Sequence, residues 1–379
     1  HAPLAPAFVS MALPPVLQFM HASSDNAGLA SGAVCLSAFV YAGADALIGM
    51  SDGGGGGGGG AVPAILNVIS RLLTPDAVPE MGALGAGGLV TQVVLKLQAV
   101  LNPAAVQKIF HAVLVRLASA KYSALKQSLV MVFARLMHRD MGTVMRVVGS
   151  LPAIADPVKA ASVPAFALLA EQWVAEQPAF TGTFQVKVSL LALARLYTAH
   201  AGVCAQIAVQ GDLIVDVNEK RRTRSQGRRK LQYASVPLSL RIMQLLLRSV
   251  DEREQEEEGG RGGEGFGIGT GISDGGGGGG GGGATSRMGA TGIFAAADDF
   301  EEFMLSDIGA GFWGDEEEDD GDDMLGAGID AKDDPLFAVD LQEELSKWFK
   351  SLPAQELASL NGALTNVEDR EKLGLVTSR

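Results

Sequence analysis

The sequence is poor in the residues on which disulfide bonds, β-sheets and most active sites depend. Its 379 residues include two cysteines, five histidines and only 6% aromatic residues. Cys35 and Cys204 both lie in apolar surroundings, so we expect two small core residues rather than a disulfide, which suits a reducing cytosol or nucleus. Few apolar runs are rich in Val, Ile and Thr with a period of two, and this favours helices over sheets.

Motifs typical of enzymes are also scarce. The five histidines (His1, His21, His111, His138 and His200) are scattered, and none neighbours a cysteine or a carboxylate cluster at metal-ligand spacing. Neither glycine run is followed by the Lys-Ser/Thr of a phosphate loop, and HExxH is absent. One GxSxG match, at residues 271–275, lies in a glycine-rich tract without the strand and helix that a nucleophile elbow needs. We therefore expect a protein without enzymatic activity, cofactor or metal.

No signal peptide is evident, and the chain starts with His1 rather than Met, so we expect a fragment or a processed product. Residues 2–24 and 26–44 carry no charge. Four prolines interrupt the first stretch, and glycine and serine interrupt the second. We therefore predict buried helices here rather than membrane spans.

Apolar residues recur at helical spacing over most of residues 61–250. One helix is predicted to begin at Pro103, and shorter segments are predicted at 144–148, 157–177 and 184–199. A further helix is predicted over 235–252 with Ser235 as its N-cap. The clearest stripe, with Gln127 and Arg135 off it, consists of Leu125, Leu129, Val132, Phe133, Leu136 and Met137.

Order is predicted to return after residue 334. Asp340 and Glu343 have the spacing of a capping box, and short helical stretches follow near 354–360 and 367–373. Paired helices of this length are typical of stacked two-helix repeats. We predict an all-α fold in which a HEAT/armadillo-like helical repeat superhelix (residues 1–250) and a C-terminal helical cap (335–379) flank a disordered acidic loop. The apolar face of the first cap helix consists of Leu341, Leu345, Trp348, Phe349 and Leu352.

Charge is strongly segregated along the chain. Residues 251–334 contain 24 acidic and four basic residues, a net charge of −20, whereas the rest of the chain carries a net +7. Such a segment cannot bury enough apolar surface to fold, so we expect disorder. Glycine runs at 53–60 and 275–283 are predicted to be flexible spacers.

Within the acidic loop, aromatic residues are interleaved with carboxylates. Large apolar side chains add nothing to solubility, but they can anchor a basic partner that the surrounding charges attract. The plainer alternative is a solvated charge run that only keeps the protein soluble. The predicted contacts with basic cargo are Asp251, Glu252, Glu254, Glu256, Glu257, Glu258, Asp298, Asp299, Phe300, Glu301, Glu302, Phe303, Phe312, Trp313, Asp315, Glu316, Glu317, Glu318, Asp319, Asp320, Asp322 and Asp323.

A basic cluster precedes the acidic loop by about twenty residues. Its sequence is typical of a nuclear localisation signal or an RNA-binding patch, but it contains no aromatic residue for base stacking. A solvated or intramolecular role, with the acidic loop as partner, and contact with acidic surfaces of a partner both remain open. The cluster consists of Lys220, Arg221, Arg222, Arg224, Arg228, Arg229 and Lys230.

An ordered set of short stretches resembles the karyopherin-β nuclear transport receptors of the importin-9 type. The stretches are ALKQSLVMVFARLMHRD (124–140), GSLPA (149–153), LLAEQWVAEQPAFTGTFQVKVSLLALARL (168–196), RTRS (222–225), VPL (236–238), LSDI (305–308) and DDPLFAVDLQEEL (333–345). The resemblance runs from about residue 28 to the C-terminus and corresponds to the last repeats of such receptors. The two polyglycine runs and the glycine within the acidic loop depart from the family pattern.

The resemblance implies a HEAT-repeat receptor that shuttles between cytoplasm and nucleus, contacts nuclear pore proteins and is regulated by the GTPase Ran. It implies basic cargo, such as core histones and ribosomal proteins, with the acidic loop contributing to histone binding. Ran would bind through N-terminal repeats that this chain lacks. No direct contact with nucleic acid and no membrane insertion are expected. The alternative is a HEAT-repeat scaffold whose acidic loop is self-inhibitory and which has no role in transport.

Overall fold

The computed structural model describes residues 3–52, 60–214, 233–250 and 331–378. All of them belong to one compact unit, formed by His1–Glu256 and Asp322–Arg379. A second unit, Glu257–Gly321, lies outside the described residues, as do most of the predicted acidic loop, the basic cluster and residues 53–59 of the first glycine run.

Twelve α-helices make up most of the described chain, and the all-α helical-repeat fold predicted from the sequence is confirmed. They are α1 (Pro6–Ala22), α2 (Asn26–Asp52), α3 (Ala61–Leu72), α4 (Ala86–Lys96), α5 (Pro103–Ser119), α6 (Ser123–Ser150), α7 (Ala165–Glu176), α8 (Thr183–Gln206), α9 (Leu238–Ser249), α10 (Leu341–Ser351), α11 (Ala354–Ala363) and α12 (Val367–Ser378). Short 3-10 helices occupy Glu80–Ala83, Gln177–Ala179, Ala331–Asp333 and Pro335–Ala338.

The helices pack in two layers. The first layer contains α1, α3, α5, α7 and α9; in it, α1 packs on α3, and α7 packs on both α5 and α9. The second layer contains α2, α4, α6, α8 and α10, each of which contacts the next in this order. A T-shaped ring pair, Phe110 on α5 and Phe133 on α6 with centroids 5.3 Å apart, links the layers. The apolar stripe predicted on α6 is buried throughout, which follows from its contact with neighbours on several sides.

Local sequence signals set several helix ends as predicted. Pro103 occupies the first turn of α5, where a missing N–H costs nothing, and Asn102 caps it by accepting a hydrogen bond from the Ala105 N–H at 2.7 Å. Asp340 caps α10 by accepting from the Glu343 N–H at 3.0 Å. Leu341, Leu345 and Phe349 of the predicted α10 face are buried, so this element also agrees with its sequence pattern.

A β-hairpin replaces the first part of the helix predicted over 157–177. Strands β1 (Ile154–Asp156) and β2 (Ala161–Val163) pair antiparallel, and α7 begins only after them. The Asp156 carboxylate accepts hydrogen bonds from the N–H groups of Val158 (2.9 Å) and Lys159 (3.2 Å), which stabilises the turn. Val163 precedes a proline and is therefore disfavoured in α-helical conformation, so the prediction was wrong for residues 157–164.

The prediction that Ser235 caps a helix was also wrong. Strands β3 (Ala208–Leu213) and β4 (Tyr233–Pro237) form a second antiparallel hairpin in which Ser235 lies opposite Gln210. Helix α9 starts at Leu238, whose N–H donates to the Ile207 carbonyl at 2.8 Å. The β-branched pair Val209 and Val236 packs across the strands, and this favours the extended form over another helical turn.

The two cysteines have different environments. Cys204 is buried, and burial raises the pKa of its thiol to about 11, as expected of an inert core residue. Cys35 is free but exposed, so its predicted core position was wrong. It lies where α1 and α2 leave a shallow apolar groove lined by Val16, Phe19 and Gly32.

Among the described residues, α2 and α8 are long and apolar enough to cross a bilayer by length and composition. The inner face of α2 contributes Leu29, Leu36 and Val40 to the hydrophobic core, and Leu13 of α1 is buried beside it. Helices of this composition are also typical of protein cores. Both uncharged N-terminal stretches therefore form helices with a buried face, as predicted.

Candidate functional site

The predicted binding residues lie in two segments, 215–232 and 251–330, that are outside the described chain. All 22 predicted cargo contacts, from Asp251 to Asp323, and the basic cluster from Lys220 to Lys230 lie outside the described residues. Their attachment points are described. The basic cluster joins β3 to β4, and the acidic segment joins the end of α9 to the 3-10 helix at Ala331–Asp333.

The described chain resumes at residue 331 and so includes the last four residues of the predicted acidic loop, 331–334. We call residues 331–338 the strap, because these two short 3-10 helices lie along the second layer of helices. Asp334 shapes it locally: its side chain accepts a hydrogen bond from the Leu336 N–H at 2.9 Å, and Pro335 fixes the next backbone dihedral.

Two carboxylates of the strap meet polar groups of the second layer. The Tyr41 hydroxyl of α2 donates a hydrogen bond to Asp333. Arg135 Nη2 on α6 donates to Asp334 Oδ2 at 3.1 Å, and the guanidinium is nearly buried. A buried cation is tolerated when a carboxylate or another acceptor faces it, so Asp334 contributes to the stability of this part of the array. Lys96 of α4 lies over the Tyr41 ring, 4.4 Å from its centroid.

Phe337 is the aromatic end of the strap. Its ring lies 6.0 Å from that of Phe184, at the start of α8, with an angle of 39° between the rings. Lys187, one turn further along α8, donates a hydrogen bond from Nζ to the Phe337 carbonyl at 2.7 Å. Arg135 lies over the other ring of the pair, 5.8 Å from the Phe184 centroid. Cations over ring faces add electrostatic attraction to these contacts.

His138 lies beside this surface, one turn after Arg135. Its Nε2 is 2.8 Å from the Val188 carbonyl and therefore donates, while its Nδ1 faces Arg195 Nη1 at 3.3 Å and accepts. Burial is the main cause that lowers the pKa of His138, and the positive charge of Arg195 lowers it further. His138 is therefore a neutral structural residue at neutral pH.

The acidic segment is an insertion between two helices that contact the same array. Helix α9 ends at Ser249, whose carbonyl accepts a hydrogen bond from Gln342 Nε2 of α10 at 2.8 Å. Trp348 of α10 donates from Nε1 to Thr198 Oγ1 of α8 at 2.9 Å and packs edge-on against Tyr197. Both attachment points of the segment are thus held by the helical array.

The end of β3 that leads into the basic cluster is held by a charge network. Arg248 of α9 donates from Nη1 and Nη2 to the two oxygens of Asp212 on β3, at 2.8 and 2.7 Å. Arg241 also donates to Asp212, at 2.8 Å. Hydrogen bonding from Arg248 is the largest cause that lowers the pKa of the Asp212 carboxyl. The arrangement fixes the strand from which the basic cluster departs.

Within the described chain, no group of three or more His, Cys, Asp or Glu side chains could hold a metal ion. The chemistry of the described surfaces is that of ion pairs, hydrogen bonds to carbonyls and ring contacts.

Four residues of the strap surface were not predicted from the sequence: Tyr41, Arg135, Phe184 and Lys187. Arg135 was expected to lie off the apolar stripe of its helix, and it is instead nearly buried beneath the strap. Helix periodicity did not single out Arg135 and Lys187, because α6 carries three further Lys or Arg residues besides Arg135 and α8 carries one besides Lys187. Only the fold reveals that these cations share one surface with the end of the acidic loop.

No family model matches the sequence. Importin-9 of Drosophila melanogaster is 24% identical over 252 residues. The match covers 65% of this chain and 23% of the length of that relative. This distant similarity, together with the helical-repeat fold, supports a karyopherin-like relationship.

Proposed function

We propose that this chain belongs to a nuclear import receptor that binds basic proteins through its acidic segment. The observation that carries the proposal is charge segregation: a segment with a net charge of −20 is inserted between two helices of the array, whereas the rest of the chain carries +7. Single exposed ion pairs contribute at most about 1 kcal/mol. Many together on a strongly basic partner can dominate association and make it sensitive to salt.

Core histones and ribosomal proteins are the cargo that this charge distribution fits best. The acidic carboxylates attract the cargo, and the interleaved rings, Phe300, Phe303, Phe312 and Trp313, pack against it. Binding also shields cargo charge during transit between cytoplasm and nucleus, so the segment acts as a chaperone. In this proposal, Ran regulates release through N-terminal repeats outside this chain, and nuclear pore proteins contact the receptor. The function is binding without catalysis, cofactor or direct nucleic-acid contact.

A replacement experiment tests the role of the acidic segment. Residues 251–330 are replaced by a Gly/Ser segment of equal length, which retains the strap and the Gln342–Ser249 hydrogen bond. Affinity for a core-histone dimer is then measured at low and at physiological salt. We expect a large loss of affinity at both, with a weaker salt dependence than in the parent. Unchanged affinity at physiological salt would defeat the proposal.

A matched variant separates charge from chain length. Asn and Gln replace the nine-residue run 315–323 at its acidic positions, so that length, glycine content and neighbouring rings are kept. We expect an intermediate loss of histone affinity. If the neutral run binds as well as the parent, the dense run of carboxylates has no part in cargo binding.

A scaffold with a self-inhibitory acidic segment is the second candidate function. The observation that favours it is the cis ion pair between Asp334 and Arg135, because the end of the acidic segment already binds the helical array of its own chain. Pull-downs at two salt concentrations separate the candidates. A receptor enriches basic proteins in a salt-sensitive manner, whereas a scaffold retains defined partners with little salt dependence.

A further inference from the structure

The residues of the strap are largely exposed, whereas the residues that they contact on α6 and α8 are buried. Among the residues of the 3-10 helix Pro335–Ala338 none is buried, and Phe337 is 44% exposed. Beneath it, Phe184 is 1% exposed and Lys187 is 8% exposed. The supporting residues are positioned by the cores of α6 and α8, whereas the strap contributes little to the core of the array. The pairing is therefore that of a short ligand on a preformed surface.

The contacts define what such a ligand must contain. Arg135 Nη2 binds a carboxylate at 3.1 Å, and Phe184 packs on an aromatic ring three residues later in the ligand. Lys187 Nζ binds the backbone carbonyl of the aromatic residue at 2.7 Å, a group that any sequence provides. The required pattern is thus an acidic residue followed at the third position by an aromatic residue, in a turn that proline favours.

The charge of the surface selects the same class of ligand. Arg135 and Lys187 lie on it, and Lys96 lies over Tyr41 next to Asp333. Because like charges repel across an interface, this positively charged surface disfavours basic cargo and favours acidic segments. It is therefore distinct from the acidic segment proposed to bind basic cargo.

We propose that this surface on α6 and α8 binds acidic–aromatic peptide segments of the form Asp-x-x-Phe in partner proteins, and that the strap occupies it in cis. The strap is joined directly to α10, so its local concentration at the surface is high. A partner segment binds only the molecules whose strap has left, so its apparent association constant is the intrinsic constant multiplied by the fraction of such molecules. The strap thereby sets the minimum affinity or concentration at which a partner segment can displace it.

The experiment uses the whole chain and a fluorescent peptide with the sequence AKDDPLFAVD, taken from residues 331–340. The strap is weakened by the triple substitution Asp333→Asn, Asp334→Asn and Phe337→Ala. We expect the peptide to bind this variant about tenfold or more tightly than it binds the parent, since the competing cis ligand is lost. Circular dichroism and thermal unfolding check that the array is still folded: none of the three side chains belongs to the hydrophobic core, and the expected cost is the loss of the Asp334 partner of Arg135.

Two controls test specificity. A scrambled peptide of the same composition keeps the charge but loses the spacing between acid and ring, and we expect at least about tenfold weaker binding. Lys187→Met in the strap-weakened background removes the ammonium but keeps an apolar stem of similar length, and it should reduce peptide binding several-fold. The proposal is overturned if the strap-weakened chain binds the peptide no better than the parent, if the scrambled peptide binds equally well, or if Lys187→Met has no effect.

Discussion

Arg248 on α9 and Asp369 on α12, separated by 121 positions in the sequence, are joined by two hydrogen bonds. Arg248 Nε donates to Asp369 Oδ1 at 3.0 Å, and Nη2 donates to Oδ2 at 2.7 Å. The Asp369 side chain is 1% exposed, while the guanidinium also binds Asp212 of β3. One arginine thus joins three elements: helix α9, strand β3 and the final helix α12.

Substituting the buried carboxylate of this pair is expected to destabilise the C-terminal helices. Asp369→Asn leaves Arg248 with a weaker partner in a partly buried position, and we expect a loss of about 2–3 kcal/mol in the free energy of unfolding. Chemical denaturation followed by circular dichroism measures it. Glu368→Gln is the matched control, because the Glu368 side chain is 70% exposed and its ion pair with Lys372 spans one helical turn, so the substitution should change stability little. Equal effects of the two substitutions would contradict the role of Arg248.

Acid should weaken the same network through Asp212. Its pKa is lowered in the folded protein, chiefly by hydrogen bonding from Arg248, so the folded state binds a proton less readily than the unfolded chain. This stabilisation is present above the unfolded pKa of about 3.9 and is lost as pH falls through the lower folded pKa. The stability difference between the parent and Asp212→Asn should therefore shrink below about pH 4. Denaturation series at several pH values check this; a difference that stays constant down to pH 2 would refute it.

Two adjacent glycines on α4 should respond in opposite directions to the same substitution. A Cβ on Gly87 would lie 2.0 Å from the Ser128 carbonyl oxygen of α6, whereas a Cβ on Gly88 meets nothing closer than Ser37 Oγ at 3.9 Å. Gly87→Ala must push α4 and α6 apart, with a cost of about 1–3 kcal/mol or more. Gly88→Ala gains helix propensity and should stabilise by up to about 1 kcal/mol. Thermal unfolding of both variants measures these changes in stability. If Gly87→Ala is as stable as the parent, α4 and α6 are packed less closely than the structure shows.

The rings of the acidic segment should contribute to cargo binding independently of charge. Phe312→Ala combined with Trp313→Ala changes no charge, and we expect about tenfold weaker histone binding with an unchanged salt dependence, since buried aromatic anchors commonly dominate interfaces. Titration of a core-histone dimer at two salt concentrations measures both quantities. If the double variant binds histones as tightly as the parent, these two rings do not contribute to cargo binding.

Local sequence determined which segments of this chain are helical. The apolar stripe of α6, the proline that starts α5 and the aspartate that caps α10 act within one or two turns, so periodicity and capping rules predict them. The two hairpins were not predicted from the sequence. The first depends on hydrogen bonds from the turn to a single side chain, Asp156, and the second depends on pairing between strands that are distant in the sequence, with Ser235 opposite Gln210. The segregation of charge is likewise a property of the sequence alone.

Tertiary structure decided which of these residues meet. Arg135 and Asp334 are 199 positions apart, and Lys187 and Phe337 are 150 positions apart, so no local pattern could pair them. Helix periodicity only places a cation on a face; the neighbour that covers that face depends on how the layers stack. The same reason explains why Cys204 is buried and Cys35 is exposed, although both have apolar neighbours in the sequence.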